Sequence, residues 1–137
     1  MNAARFSRVM PLRYVESVDA MRSYYLDRLG FGHMMGMVGK DGQLDFAIVE
    51  RDGAGLMLAR PGDGGALTGG AVEIYLEVDD VDAYHAEVSG RGVAIAKPLT
   101  SQWWGDRNFA VTDPAGHLIW FWTTVAEPAP PAGVTMI

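Results

Sequence analysis

The chain has 137 residues, of which 49% are hydrophobic and 20% charged, enough to bury about two thirds of the unfolded surface in one domain. There is no cysteine, which excludes disulfides, thiolate-held zinc and a cysteine nucleophile. The net charge of −6, with eleven Lys and Arg scattered along the chain, would repel a phosphate backbone and argues against a nucleic-acid partner.

No apolar run approaches the roughly 20 residues that a membrane span needs, and MNAARFSRVM carries no signal-peptide apolar core. No membrane partner and a cytoplasmic location are therefore expected. RVMPLRYV reads as the first strand. In ESVDAMRSYYLDRLG, Val18, Met21, Tyr25 and Leu29 recur at helical spacing and Ser17 can cap the first turn. Gly30 and Gly32 end that helix, and FGHMMGMVG, QLDFAIVE and LMLAR follow as strands, the last two joined by a turn at RDGAG. The glycine-rich ARPGDGGALTGG reads as a linker. Beyond it AVEIYLEV is a strand, and DDVDAYHAEVSGRG a helix with Val81, Tyr84 and Val88 on one face and Asp80 as its cap. VAIAKP, RNFAVTD and HLIWFW are the closing strands. In the tail VAEPAPPAGVTMI, Pro128, Pro130 and Pro131 disfavour helix and central strand alike, so it is expected to be extended, either loose or laid over a neighbour.

The two halves repeat. Shifted by 63 residues without a gap, Val9, Val15, Val18, Asp19, Ala20, Arg28, Gly42, Phe46, Ala47 and Gly53 fall on identical residues, ten identities over some fifty positions. Module one covers about residues 8–60, the linker 61–70, module two about 71–124 and the proline-rich tail 125–137, within a single domain over 1–137. The expected fold class is α+β, two tandem β-α-β-β-β modules.

VESVDAMRSYYLDRLGF and FAVTDPAGHLIWFW resemble the first strand-to-helix segment and the closing hairpin of the vicinal oxygen chelate superfamily, which includes glyoxalase I, extradiol dioxygenases and bleomycin-resistance proteins. The resemblance covers residues 8–124. It implies that each module curls its mixed sheet into a half-cup and that two half-cups enclose a ligand cleft. In metal-dependent members the ligands come from the first and last strand of each module, and the matching positions here are Met10, Met57, Glu73 and Trp120. Only Glu73 suits a hard or borderline divalent ion, thioethers favour soft Cu(I), and an indole does not ligate. No metal and no other cofactor is expected. His33, His85 and His117 show no ligand spacing; alternation points His117 away from the face of Trp120.

A cleft lined differently remains. Alternation sets Leu118, Trp120 and Trp122 on one face of the last strand and Glu73, Tyr75 and Glu77 on one face of the fifth, while Met10, Leu12 and Tyr14 come from the first. All four tryptophans, Trp103, Trp104, Trp120 and Trp122, lie within twenty residues. Aromatic faces stack planar ligands, worth about 0.5–1.5 kcal/mol per pair beyond burial, and attract cations; methionines such as Met57 fit irregular shapes. This resembles the bleomycin-resistance branch, which lacks the metal ligands, forms an intertwined homodimer and sequesters an antibiotic between subunits. A homodimer and a small-molecule ligand are therefore expected.

Plainer readings stand beside these. Trp120 and Trp122 can simply fill the cup. Glu73 can be a structural carboxylate paired with Arg107 or Arg13. Asp106 and Arg107 are either ligand contacts or a surface hairpin pair, His33 and His85 surface or rim residues, and His117 a turn residue. The Met34, Met35 and Met37 cluster reads as core packing. Three functions compete: metal-free sequestration of a partly planar and, given the acidic surface, cationic compound, with Glu73 as the charged contact; a lyase or isomerase using Glu73 as general base, its pKa raised by burial, or a metal-dependent glyoxalase or dioxygenase with unusual ligands; and an interaction module with an occluded cup.

Overall fold

A computed structural model describes residues 3–5, 7–61 and 73–136. The expected linker therefore lies outside the described residues except for Pro61. The described residues form two compact units, one holding those up to Leu26 together with residues 30–61, the other residues 27–29 together with 73–136. Among the described residues no helix is long and apolar enough to cross a membrane.

In the first unit β1 (Leu12–Tyr14) leads to α1 (Val18–Asp27), β2 (Gly32–Val38), β3 (Leu44–Arg51) and β4 (Ala54–Ala59). The Ser17 hydroxyl accepts from Ala20 N–H at 3.1 Å, so the expected cap is in place. Sheet order is β1-β4-β3-β2, with β1 parallel to β4 and the other pairs antiparallel. Ala47, Val49, Leu56 and Leu58 share the buried face, and Val18, Met21 and Tyr25 are the buried side of α1. The Leu44 N–H donates to the Asp19 carboxylate at 2.9 Å and ties the start of β3 to the helix.

The second unit repeats the order, with β5 (Ile74–Glu77), α2 (Val81–Gly90), β6 (Ile95–Ser101), β7 (Asp106–Thr112) and β8 (Leu118–Thr124) in a sheet ordered β5-β8-β7-β6. Asp80 caps α2 by accepting from Ala83 N–H at 3.0 Å. Tyr84 of α2 packs on Phe121 and Phe109, with ring centroids 4.7 and 6.2 Å away, so the helix covers the face carrying Ile74, Phe109, Val111, Ile119 and Phe121. The chain is thus α+β with two four-stranded mixed sheets.

Four details differ from the sequence reading. The first strand is shorter than RVMPLRYV: only Leu12–Tyr14 pairs, opposite Met57–Ala59, and Val9 is exposed. Pro11 has no N–H to give a ladder, although its carbonyl accepts from Met57 N–H at 2.9 Å. The strand begun by VAIAKP runs past Pro98 to Ser101, because β6 is an edge strand, where a missing N–H and an irregular register are tolerated. Met34, Met35 and Met37 are not core residues. They are exposed, because β2 is the edge of its sheet and every residue in it is exposed.

The gapless repeat also slips by one residue. Phe46 faces Ala59 across β3–β4, so a strict 63-residue shift would set Phe109 opposite Trp122; it lies opposite Phe121 instead. A two-residue turn, Asp52-Gly53, joins β3 to β4, whereas five residues, 113–117, join β7 to β8. With period-two alternation, that slip moves Phe46 and Phe109 to opposite faces of their sheets.

Candidate functional site: an aromatic sheet face

The face of the second sheet turned away from α2 is built by register. Tyr75 lies beside Trp120 and Glu77 beside Trp122 across the parallel β5–β8 pair, while β7 sets Ala110 beside Trp120 and Asn108 beside Trp122. The Tyr75 and Trp120 rings are stacked at 2° with centroids 5.6 Å apart. Tyr75 is 56% exposed, so the stack ends in an open ring face. Glu73, immediately before β5, is exposed as well, so its own unit leaves the carboxylate open to solvent. The Trp120 indole N–H is buried with no hydrogen-bond partner among the described residues.

Trp103 and Trp104 occupy the turn between β6 and β7, 40% and 41% exposed, their rings edge-to-face with centroids 5.5 Å apart. Asp106 and Arg107 open β7 and diverge. The Asp106 carboxylate accepts from the Thr124 hydroxyl at 3.1 Å. Arg107, one residue on, shares the α2 side with Phe109 and donates from Nε and a terminal nitrogen to the Asp82 carboxylate at 3.1–3.2 Å. Those hydrogen bonds hold the Asp82 carboxyl below its ordinary pKa. Arg107 is therefore paired to the helix, away from Trp120 and from Glu73.

At the closing hairpin, Asp113 accepts from the Ala115 and His117 N–H groups at 2.9 Å. His117 is thus part of the turn. His33 accepts from Arg22 Nε at 2.9 Å, and His85 packs its ring edge-to-face against Phe109 at 5.0 Å.

The first unit has its own open face. Leu12 lies beside Met57, which also faces Ile48; Tyr14 lies beside Ala59, which faces Phe46; and Met35 and Met37 continue the face on β2. Leu12, Tyr14, Met35 and Met37 are exposed. Met10 precedes β1 and lies over Gly55, where its Cε stands 3.1 Å from the point an added Cβ would occupy. Sequence reasoning named Met10, Leu12, Tyr14 and Met57 but missed Phe46, Ile48, Met35 and Met37 as one apolar surface. The one-residue slip hid Phe46, because its repeat partner Phe109 belongs to the core.

These donors do not fit the metal that the resemblance implies. Met10 and Met57 offer thioethers, Trp120 an N–H with no lone pair for a cation, and Glu73 a single carboxylate. Among the described residues no three His, Cys, Asp or Glu gather as a ligand set.

The model of the Glyoxalase/Bleomycin resistance protein/Dioxygenase superfamily matches residues 5–121. Over 52 residues the sequence is 42% identical to uncharacterized proteins of Mycobacterium bovis and Mycobacterium tuberculosis, 38% of this chain and 34% and 31% of theirs. The chain thus spans about a third of the length of these curated relatives. Among solved structures it is similar to TnmS3, an antibiotic binding protein from Streptomyces sp. CB03234, at 25% identity and TM-score 0.70, covering 89% of this chain and 99% of that one. A glyoxalase/bleomycin resistance protein from the same Streptomyces has 26% identity and TM-score 0.65, covering 84% and 98%. TioX from Micromonospora sp. ML1 has 23% identity and TM-score 0.73, covering 88% and 100%, a likeness of fold alone.

Proposed function

The chain belongs to the Glyoxalase/Bleomycin resistance protein/Dioxygenase superfamily, and from that premise we propose that it is a metal-free binding protein that sequesters a partly planar, cationic small molecule. The observation that carries this reading is the Tyr75–Trp120 stack, whose outer ring is open, at one of the four positions that match the metal ligands of metal-dependent members. A flat cation added to that stack gains offset ring contact and the attraction of the ring quadrupoles. Glu73 and Glu77 flank Tyr75 on the same strand face and supply negative charge. Met10, Leu12, Tyr14 and Met57 offer ligand contacts on the first unit's own open face, and Trp122, Trp103 and Trp104 extend the aromatic surface. Asp106 sits at its edge, and Arg107 acts only indirectly, through Asp82. The likeness to TnmS3 supports the choice of an antibiotic-like ligand.

The working form in this reading is a cytoplasmic homodimer in which a second copy shelters the exposed apolar faces. Titrating intrinsic tryptophan fluorescence with proflavine, bleomycin and an anionic naphthalene sulfonate tests the ligand class. Saturable quenching by proflavine, stronger than by the sulfonate, is the expected result, and no quenching by any of the three would overturn the proposal.

A further inference from the structure

The proline-rich segment after β8 is tied to the tryptophan turn. The Val125 and Ala126 N–H groups donate to the Gly105 carbonyl at 2.9 and 3.1 Å, and the Ala129 N–H donates to the Trp103 carbonyl at 2.7 Å. From Val125 to Pro131 only four residues carry an N–H, and three of those four donate to this turn. Prolines at 128, 130 and 131 restrict the backbone around Ala129, so the chain loses little entropy in holding its N–H towards Trp103. The ladder delivers the segment there: Asp106 pairs with Thr124, and the next residue meets Gly105.

Gly105 fits this contact and no other residue would. Its φ is +101°, a left-handed value, and an added Cβ would collide with the Ala126 carbonyl oxygen. The corresponding turn of the first unit is braced differently. Arg60 donates to Asp41 at 2.8 and 3.0 Å and also to Asp45, and an added Cβ at Gly42 would meet nothing within 4 Å. The charged brace of one module is replaced in the other by a backbone strap, and the strapped turn displays two tryptophans about two-fifths exposed. Trp122 lies two residues before Thr124, about 7 Å along the strand, and Thr124 pairs with Asp106 where the turn enters β7.

We infer that the C-terminal segment 125–129 is a positioning element of the binding surface, fixing the backbone on both sides of Trp104 so that the Trp103–Trp104 pair is held ready for ligand. Its effect on affinity rests on the ligand reading above; its effect on the tryptophans does not.

Two measurements on the full chain test it. Hydrogen exchange on the wild-type protein should find the Ala129 amide at least tenfold slower than an unstructured amide; exchange at the unstructured rate overturns the inference. In Ala129→Pro, which removes that N–H and sets a ring carbon against the Trp103 carbonyl, the indole ¹H–¹⁵N signals of Trp103 and Trp104 should shift and sharpen while those of Trp120 and Trp122 stay, and proflavine should bind at least about fivefold more weakly, the worth of one net hydrogen bond. All four indole signals unmoved would overturn it. If the variant loses all four signals through unfolding, the wild-type exchange rate decides. If wild-type protein binds no proflavine, the ligand reading fails, while exchange and the indole signals still judge the strap.

Discussion

Trp120 stacks on a half-exposed tyrosine at one of the four positions that match the metal ligands of metal-dependent members. Removing the indole should cost more than removing the nearby charge, because the ring supplies both contact area and quadrupole. Trp120→Ala is expected to weaken proflavine binding about tenfold and Glu73→Gln about threefold, the latter with no loss for a neutral polycycle. Equal losses for charged and neutral probes in Glu73→Gln would contradict the charge assignment. Asp41 offers a separate test. The Arg60 hydrogen bond lowers its carboxyl from 3.8 to about 2. A depressed folded value means that the interaction is fully present above about 3.8 and is lost as pH falls through about 2. In Arg60→Met the Asp41 carboxyl midpoint, followed by NMR, should rise toward 3.8, with the Gln43 N–H still holding it below that value; a midpoint remaining near 2 would show that Arg60 is not the main cause.

At the scale of elements, turns decide which side chains reach which face. The Asp52-Gly53 hairpin turn has φ of +50° and +88°, the pattern of a type I′ turn that asks for glycine at its second position. Gly53→Ala should lower stability by about 1 kcal/mol, read as a denaturation midpoint moved without a change in slope; an unchanged midpoint would contradict the assignment. Both helices and their caps at Ser17 and Asp80 were legible in the sequence, since capping and 3.6-residue periodicity are local signals. The β4 and β8 faces were legible too, because the 63-residue match holds there and pairs Met57 with Trp120. The β3 and β7 faces were not. Their register depends on hairpin length, two residues against five, which a gapless match cannot register. The exposure of Met35 and Met37 was hidden for a related reason: an apolar run reads as core unless the strand is known to be an edge.

For the whole molecule, each unit buries one sheet face and leaves the other apolar face partly open, a distribution more typical of a binding or association surface than of an isolated monomer. The homodimer proposal predicts a solution mass about twice the 14.8 kDa of the chain by light scattering; a monomer at tens of micromolar would contradict it. In the proposed function this fold binds a planar cation through aromatic rings and without a metal. The most direct test of that function is a proflavine titration, followed by tryptophan fluorescence, on chelator-treated protein verified by elemental analysis. The expected result is saturable quenching that chelation leaves unchanged and that Trp120→Ala abolishes or weakens about tenfold. Quenching that disappears on chelation and returns with stoichiometric zinc, nickel, iron or manganese would contradict it.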